Sequence, residues 1–342
     1  MIESIPRISL GRLPTPFEKV PRLSEALDIP NLYIKRDDLT GDGYGGNKIR
    51  KLEFLLADAL SKEADTIITT GGVHSNFTRA TTACAVKAGL KTILVLVGEE
   101  PPEYRGNLFL ERLMGADIYF VFAEGLDDGA RKAEEYMKSK SEELEKEGRT
   151  CYVMPVGGST PVGCTGFANA FIELYNQAKN MGISIDHVIM ATGSGGTQAG
   201  LVVGKEIMKS SVSIVGIRVG KMSEPFSKMI ADKATETAEF LGMKKVFCEK
   251  EITTYIDFVG EGYDIPTEEA NNAIKLVAQT EAIFLGPVYT GKAMSGLIGL
   301  VERGEIPRDD TIVFWHTGGD PALFVGEELL GREFVESLKS KF

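Results

Sequence analysis

The sequence predicts an α/β protein built from two open twisted sheets with flanking helices, and three observations predict it. Short β-rich runs alternate with longer amphipathic stretches from about residue 31 to the end, the pattern of parallel strands joined by crossover helices. Glycine concentrates just beyond the ends of four of these runs, where open α/β sheets bind ligands. The eight runs, spread over 342 residues, suit two smaller sheets better than one wide sheet.

In chain order, the expected strands are Leu32 to Lys35, Thr66 to Thr70, Thr92 to Val97, Asp117 to Phe122, Thr150 to Met154, His187 to Ala191, Ser213 to Val219 and Thr311 to His316. Leu52, Leu55, Leu56 and Leu60 recur at helical spacing, so a helix follows the first strand and places Lys48 in its first turn. Further helices start near Ser75 and near Thr197, each directly after glycines. The charged run from Lys132 to Gly148 is a solvated helix face. Val156 to Gly163, rich in Gly and Pro, is a linker or loop and marks a domain boundary.

Composition narrows the function. With 38 Lys and Arg against 49 Asp and Glu the formal charge is −11, so no basic field exists to attract nucleic acid. The apolar runs fall far short of the ~20 residues that cross a bilayer, and the N-terminus lacks a signal pattern, so a cytoplasmic protein is expected. Cys84, Cys151, Cys164 and Cys248 show no paired spacing, and His74, His187 and His316 stand at no metal-ligand interval, so no metal site is expected.

Four glycine-rich loops carry the chemistry. Ala191 to Gly200 (ATGSGGTQAG) joins a strand to a helix, and its free N–H groups converge on an anion: a phosphate cradle. It lacks the Gly-Lys-Ser/Thr of a triphosphate loop, and the next strand ends at Val219 without the acidic residue of a dinucleotide site. In Gly41 to Lys51 (GDGYGGNKIRK), Lys48 meets the positive end of a helix dipole, which disfavours its charged form and suits an imine-forming amine. Lys51, one turn further, and Lys35, at a strand end, are alternative amines. Thr69 to Thr78 offers Ser75 and Asn76 at a helix start, fit for a carboxylate or for an ordinary helix cap. His316 to Pro321 adds the hydroxyl of Thr317 at a strand end.

Phosphate cradle, imine-forming amine, carboxylate site and terminal hydroxyl together are what an amino-acid-handling pyridoxal phosphate enzyme requires. The chain also resembles the fold-type-II, tryptophan-synthase-β-like enzymes of that class, within the group of D-cysteine desulfhydrase and 1-aminocyclopropane-1-carboxylate deaminase. The resemblance spans LGRLPTPFEKVPRLS, YIKRDDLTGDGYGGNKIRKLEFLL, GGVHSNFTR, GSGGTQAG, GPVYTGKAMSGL and HTGGDPALF, and GGNKIRKLE is highly specific to the group. It implies pyridoxal 5'-phosphate as cofactor and Lys48 as the lysine that holds it. It further implies a carboxylate site at Ser75 and Asn76, with His74 where relatives often have glutamine. The phosphate loop falls on Ser194, Gly195, Gly196 and Thr197, and the active-site tyrosines on Tyr263 and Tyr289.

Deaminases of the group resemble PVYEGK with HLGG, whereas desulfhydrases resemble PVYTGK with HTGG; here the residues are Thr290 and Thr317. A glutamate at the cofactor's ring nitrogen would strengthen the electron sink, as opening a cyclopropane demands, and a threonine suffices when thiolate leaves. The resemblance therefore implies D-cysteine converted to pyruvate, hydrogen sulfide and ammonia. The rivals are 1-aminocyclopropane-1-carboxylate deamination, L-cysteate sulfo-lysis, nicotinamide-dependent reduction and a non-enzymatic amino-acid-binding α/β protein. Asp320 departs from the group's pattern and adds charge to the pocket. The resemblance also implies a homodimer and a discontinuous large domain, residues 1–52 and 161–342, with a small α/β domain, 53–160, inserted.

Overall fold

A computed structural model describes residues 2–221 and 225–339. Its larger sheet runs β1 (Phe17–Lys19), β2 (Leu32–Arg36), β10 (Ile312–His316), β7 (His187–Thr192), β8 (Ser213–Arg218) and β9 (Thr253–Tyr255). Every neighbouring pair is parallel except β1 with β2. The smaller sheet, wholly parallel, runs β5 (Asp117–Val121), β4 (Lys91–Val97), β3 (Thr66–Gly72) and β6 (Cys151–Met154). All eight expected strands form, to within two residues at each end. The two that pattern reading missed, β1 and β9, are three-residue edge strands too short to show a period.

Apolar residues alternate between sheet faces, so each sheet is covered on both sides. Val188, Met190, Val313 and Trp315 meet Phe167 and Phe171 of the helix Pro161–Met181, along with the helices Gly196–Ile207 and Phe226–Phe240. Ile189, Ile34 and Phe314 point the other way, onto Ala273, Ile274 and Val277 of Glu268–Glu281 and Leu297 of Thr290–Glu302. In the smaller sheet Ile67 packs on Leu52, Leu55 and Phe77, while Ile68 packs on Ala133 and Met137 of Leu126–Lys146. That last helix keeps its charges outward, as expected.

The helix Lys48–Ser61 carries its apolar side into the smaller core, yet its first turn is tied to the larger sheet. Arg50, 1% exposed, binds Asp37 with Nε and Nη2 at 2.8 Å, and Glu173 with Nη1 and Nη2 at 2.9 Å. Trp315 Nε1 and Thr15 Oγ1 donate to the same Asp37 at 2.8 and 2.9 Å. Lys35 is consumed in this network: its amine donates to Glu173 at 2.5 Å, to Gln177 at 2.6 Å and to Thr15 O at 2.8 Å. All three ammonium donors are thus engaged, which removes Lys35 as a candidate reactive amine.

The segment 156–163 is no flexible linker. It forms a 3-10 turn, Val156–Gly158, that leads into the cap of Pro161–Met181, and Gly157, Gly158 and Ser159 are buried.

Candidate active site

The four glycine-rich loops converge between the two sheets. Asn47 N donates to Thr317 O at 3.0 Å, and Asn47 Nδ2 to Thr197 Oγ1 at 3.1 Å, so three loops meet at the start of the Lys48 helix. The fourth joins at Gly319, where a Cβ would stand 2.8 Å from Asn76 Nδ2. Glycine is required at 319: its φ of 112° lies in the left-handed region, and any side chain would displace Asn76.

Lys48 occupies the first helical position and is half-buried. Burial, and next the neighbouring charge of Lys51, hold its amine well below the usual lysine range, so the neutral nucleophile is populated far more than in water. Lys51, fully buried, points to the cradle: its Nζ donates to Gly157 O at 3.0 Å and Ser159 Oγ at 3.2 Å. A Cβ on Gly196 would come within 2.7 Å of that Nζ and 2.5 Å of Ser159 Oγ. Ser159 Oγ in turn lies 2.8 Å from Ser194 Oγ. The sequence offers Lys51, one turn further on, only as an alternative amine and gives no sign of Ser159; only the fold brings residues 51, 159 and 196 together.

The helix that follows Gly71-Gly72 is Asn76–Ala88, with Ser75 as its cap: Ser75 Oγ accepts from Phe77 N at 3.1 Å, which leaves the hydroxyl proton free to donate. Asn107 Nδ2 steadies this turn, donating to His74 O at 2.9 Å and Asn76 Oδ1 at 3.3 Å. Arg79 donates from Nε to Asn107 Oδ1 and also to the carbonyls of Gly43 and Gly45, fastening the lysine loop to the Ser75 helix.

Tyr263 and Tyr289 pack edge to face, ring centroids 5.8 Å apart, with their hydroxyls in contact. Burial pushes both phenols up, so both stay protonated at neutral pH. Thr290 is fully buried, and its Oγ1 accepts from Gly286 N at 2.7 Å. Thr317 is 4% exposed. His316 bonds through Nε2 to Phe284 O and accepts at Nδ1 from Gly318 N, which fixes the orientation of its ring. Asp320 lies 4.0 Å from His316, and burial raises its acid.

The model of the family described as pyridoxal-phosphate dependent enzyme matches residues 8–318. The chain belongs to that family. A Pyrococcus abyssi protein named "Putative 1-aminocyclopropane-1-carboxylate deaminase" is 42% identical over 332 residues, 96% of this chain and 97% of that one. A Salmonella typhi protein named "D-cysteine desulfhydrase" is 38% identical over 325 residues, 93% and 95% of the two chains. A crystal structure of an "ACC deaminase homologue" superposes with a TM-score of 0.87 at 40% identity, covering 98% of this chain and 97% of the other.

Membership in the pyridoxal-phosphate dependent enzymes sets aside the nicotinamide and non-enzymatic readings, and the residues fit the cofactor. The helix Gly196–Ile207 has no side-chain cap, so its first N–H groups face the cradle along with the hydroxyls of Ser159, Ser194 and Thr197. Burial, opposed by Cys164 and reinforced by Lys233, lowers Lys51 to about 8, so it remains cationic below that pH and complements a phosphate dianion. Cofactor affinity is therefore expected to fall as pH rises from 7 to 9.5. In Lys51→Met it should be lower by about 10- to 100-fold and nearly flat with pH, as calorimetric titration would show. No cluster of metal-ligating side chains occurs among the described residues. No described helix is long and apolar enough to cross a membrane.

Proposed function

We propose that this enzyme catalyses an α,β-elimination on a small amino acid, most favourably D-cysteine to pyruvate, hydrogen sulfide and ammonia. The observation that carries the reading is the pair of buried threonines, Thr290 and Thr317, at the two positions that separate the group's activities, Thr290 standing where a deaminase's glutamate would meet the cofactor's ring nitrogen. Neither can carry a charge, so the sink is weaker than a carboxylate would make it, which suits a leaving thiolate and not a strained ring. A 38% identical relative named for D-cysteine supports it.

Pyridoxal phosphate, when bound, supplies the electron sink for negative charge that develops at the substrate's Cα. Lys51, Ser159, Ser194, Gly195, Gly196 and Thr197 would hold its phosphate, Asn76 would face its ring, and Lys48 would secure it. The rest falls to the chain's own groups. The Ser75 hydroxyl and the N-terminus of Asn76–Ala88 bind the substrate carboxylate. Lys48, whose amine burial and Lys51 hold largely neutral, takes the α-proton. The protonated Tyr263 and Tyr289 pair gives a proton to the departing sulfur.

With D-cysteine, L-cysteine, L-cysteate and 1-aminocyclopropane-1-carboxylate in parallel, sulfide and pyruvate are expected chiefly from D-cysteine. Release of 2-oxobutyrate from the cyclopropane, or of sulfite from cysteate, at a higher kcat/KM would sink the threonine argument.

The large domain is proposed as residues 1–52 and 161–342 and the small one as 53–160. All four strands of the smaller sheet lie within 66–154, and the helix Lys48–Ser61 runs unbroken across the first boundary. A cytoplasmic homodimer is proposed with it. Phe109, Leu113 and Phe324 leave 52, 71 and 73% of their surface exposed, and a Cβ on Gly106 would meet Pro321 and Val325, which places the two segments side by side. Sedimentation equilibrium reads the assembly directly.

A further inference from the structure

We propose that Asp264 is a specificity-determining residue that makes this enzyme discriminate against amino acids whose β-substituent carries a negative charge. The inference rests on the lyase reading above and concerns which leaving groups that site admits. The chain turns through left-handed backbone at Gly260 and again at Asp264, where φ is 54°, a conformation that Asp, Asn and Gly tolerate. This turn sets Tyr263 and Asp264 against the loop that binds the carboxylate. A Cβ on Gly72 would stand 3.1 Å from Tyr263 Cε1 and 3.8 Å from Asp264 Oδ2. Gly72 is three residues before Ser75, so the Asp264 carboxylate closes the cleft opposite the helix start, beside the tyrosine pair that serves the leaving group.

The Asp264 charge is favoured through space by His74 and Lys292, but neither forms a hydrogen bond to it among the described residues. Its Oδ1 is buried and has no hydrogen bond among the described residues. The groups around it that could neutralise it are directed elsewhere. Lys292 Nζ donates to Val259 O at 2.9 Å and Gly262 O at 2.7 Å. His74 Nε2 lies 2.8 Å from Glu328 Oε1, itself a second negative charge on this side. Tyr263 and Tyr289 bond to each other. Burial lifts the Asp264 acid to about 6, so it is ionised at pH 8. A thiol or amide at Cβ is indifferent to such a wall. A sulfonate or carboxylate meets like charge at a half-buried wall, where screening is weaker than in open water.

Asparagine and aspartate form a near-isosteric neutral and anionic pair that reads the selection by binding alone. Calorimetry on the holoenzyme at pH 8, with both enantiomers, is expected to show asparagine binding at least about 10-fold more tightly than aspartate. Asp264→Asn and Asp264→Gly both suit the left-handed backbone and should narrow the ratio to under about 3-fold, mainly by tightening aspartate. Equal affinities in the wild type, a preference that survives both substitutions, or loss of asparagine binding in either variant overturns the proposal. Sulfide release from D-cysteine is measured alongside: its absence removes the lyase reading, whereas the ligand ratio decides the role of Asp264 separately.

Discussion

Lys48→Ala is expected to lose at least about 10³-fold in kcat and, with it, the visible absorbance of covalently held cofactor. The expectation follows from position as much as chemistry. Lys48 opens a helix whose N-terminus, burial and neighbouring Lys51 all disfavour the ammonium form, and no other lysine among the described residues combines these conditions. Lys35 is locked to Glu173, Gln177 and Thr15 O, and Lys51 is turned to Gly157 and Ser159. A variant that kept both absorbance and turnover would move the role to Lys51. Retained phosphate-dependent binding of the cofactor in Lys48→Ala would show that the cradle stands without the covalent link.

The second large effect is on stability. Asp37→Asn should destabilise the protein by about 3–5 kcal/mol, because it removes one partner of a buried ion network and leaves Arg50 under-compensated. Asp37 is fully buried and accepts from Arg50, Thr15 and Trp315 at 2.8 to 2.9 Å. The denaturation midpoint in urea is the measurement, and an unchanged midpoint would mean the network contributes little. Since Arg50 sits two residues beyond Lys48, the variant should also loosen the start of that helix and weaken cofactor affinity.

Much of this was legible in the chain because the information was local. Every strand of five or more residues announced itself by β-branched and apolar runs, and each ligand loop by glycines at a strand end. Lys48 was reachable for the same reason: a lysine directly after GGN and before leucines at helical spacing has its environment written beside it. What stayed hidden depends on distance in sequence. Ser159 lies 108 residues from Lys51, and its stretch is a linker by composition alone. Nothing beside Asp264 in the sequence marks it, and only the fold sets it against Gly72, while Lys35 looked available until Glu173 was found beside it. Edge strands β1 and β9 form because a neighbour offers free backbone groups, which three residues cannot reveal.

The helix Lys48–Ser61 carries the amine proposed to form the imine at one end and fills the smaller core with the other. A helix without a proline or an internal kink transmits torque, so the small sheet cannot swing away while the lysine stays put unless the chain flexes outside this rod. The connections beside it are held as well: Arg79 binds the carbonyls of Gly43 and Gly45, and Gly157 and Gly158 are buried. Product escape and cofactor grip are then mechanically geared: opening wide enough to free one strains the seat of the other, which sets an upper limit on how far the cleft gapes in each turnover.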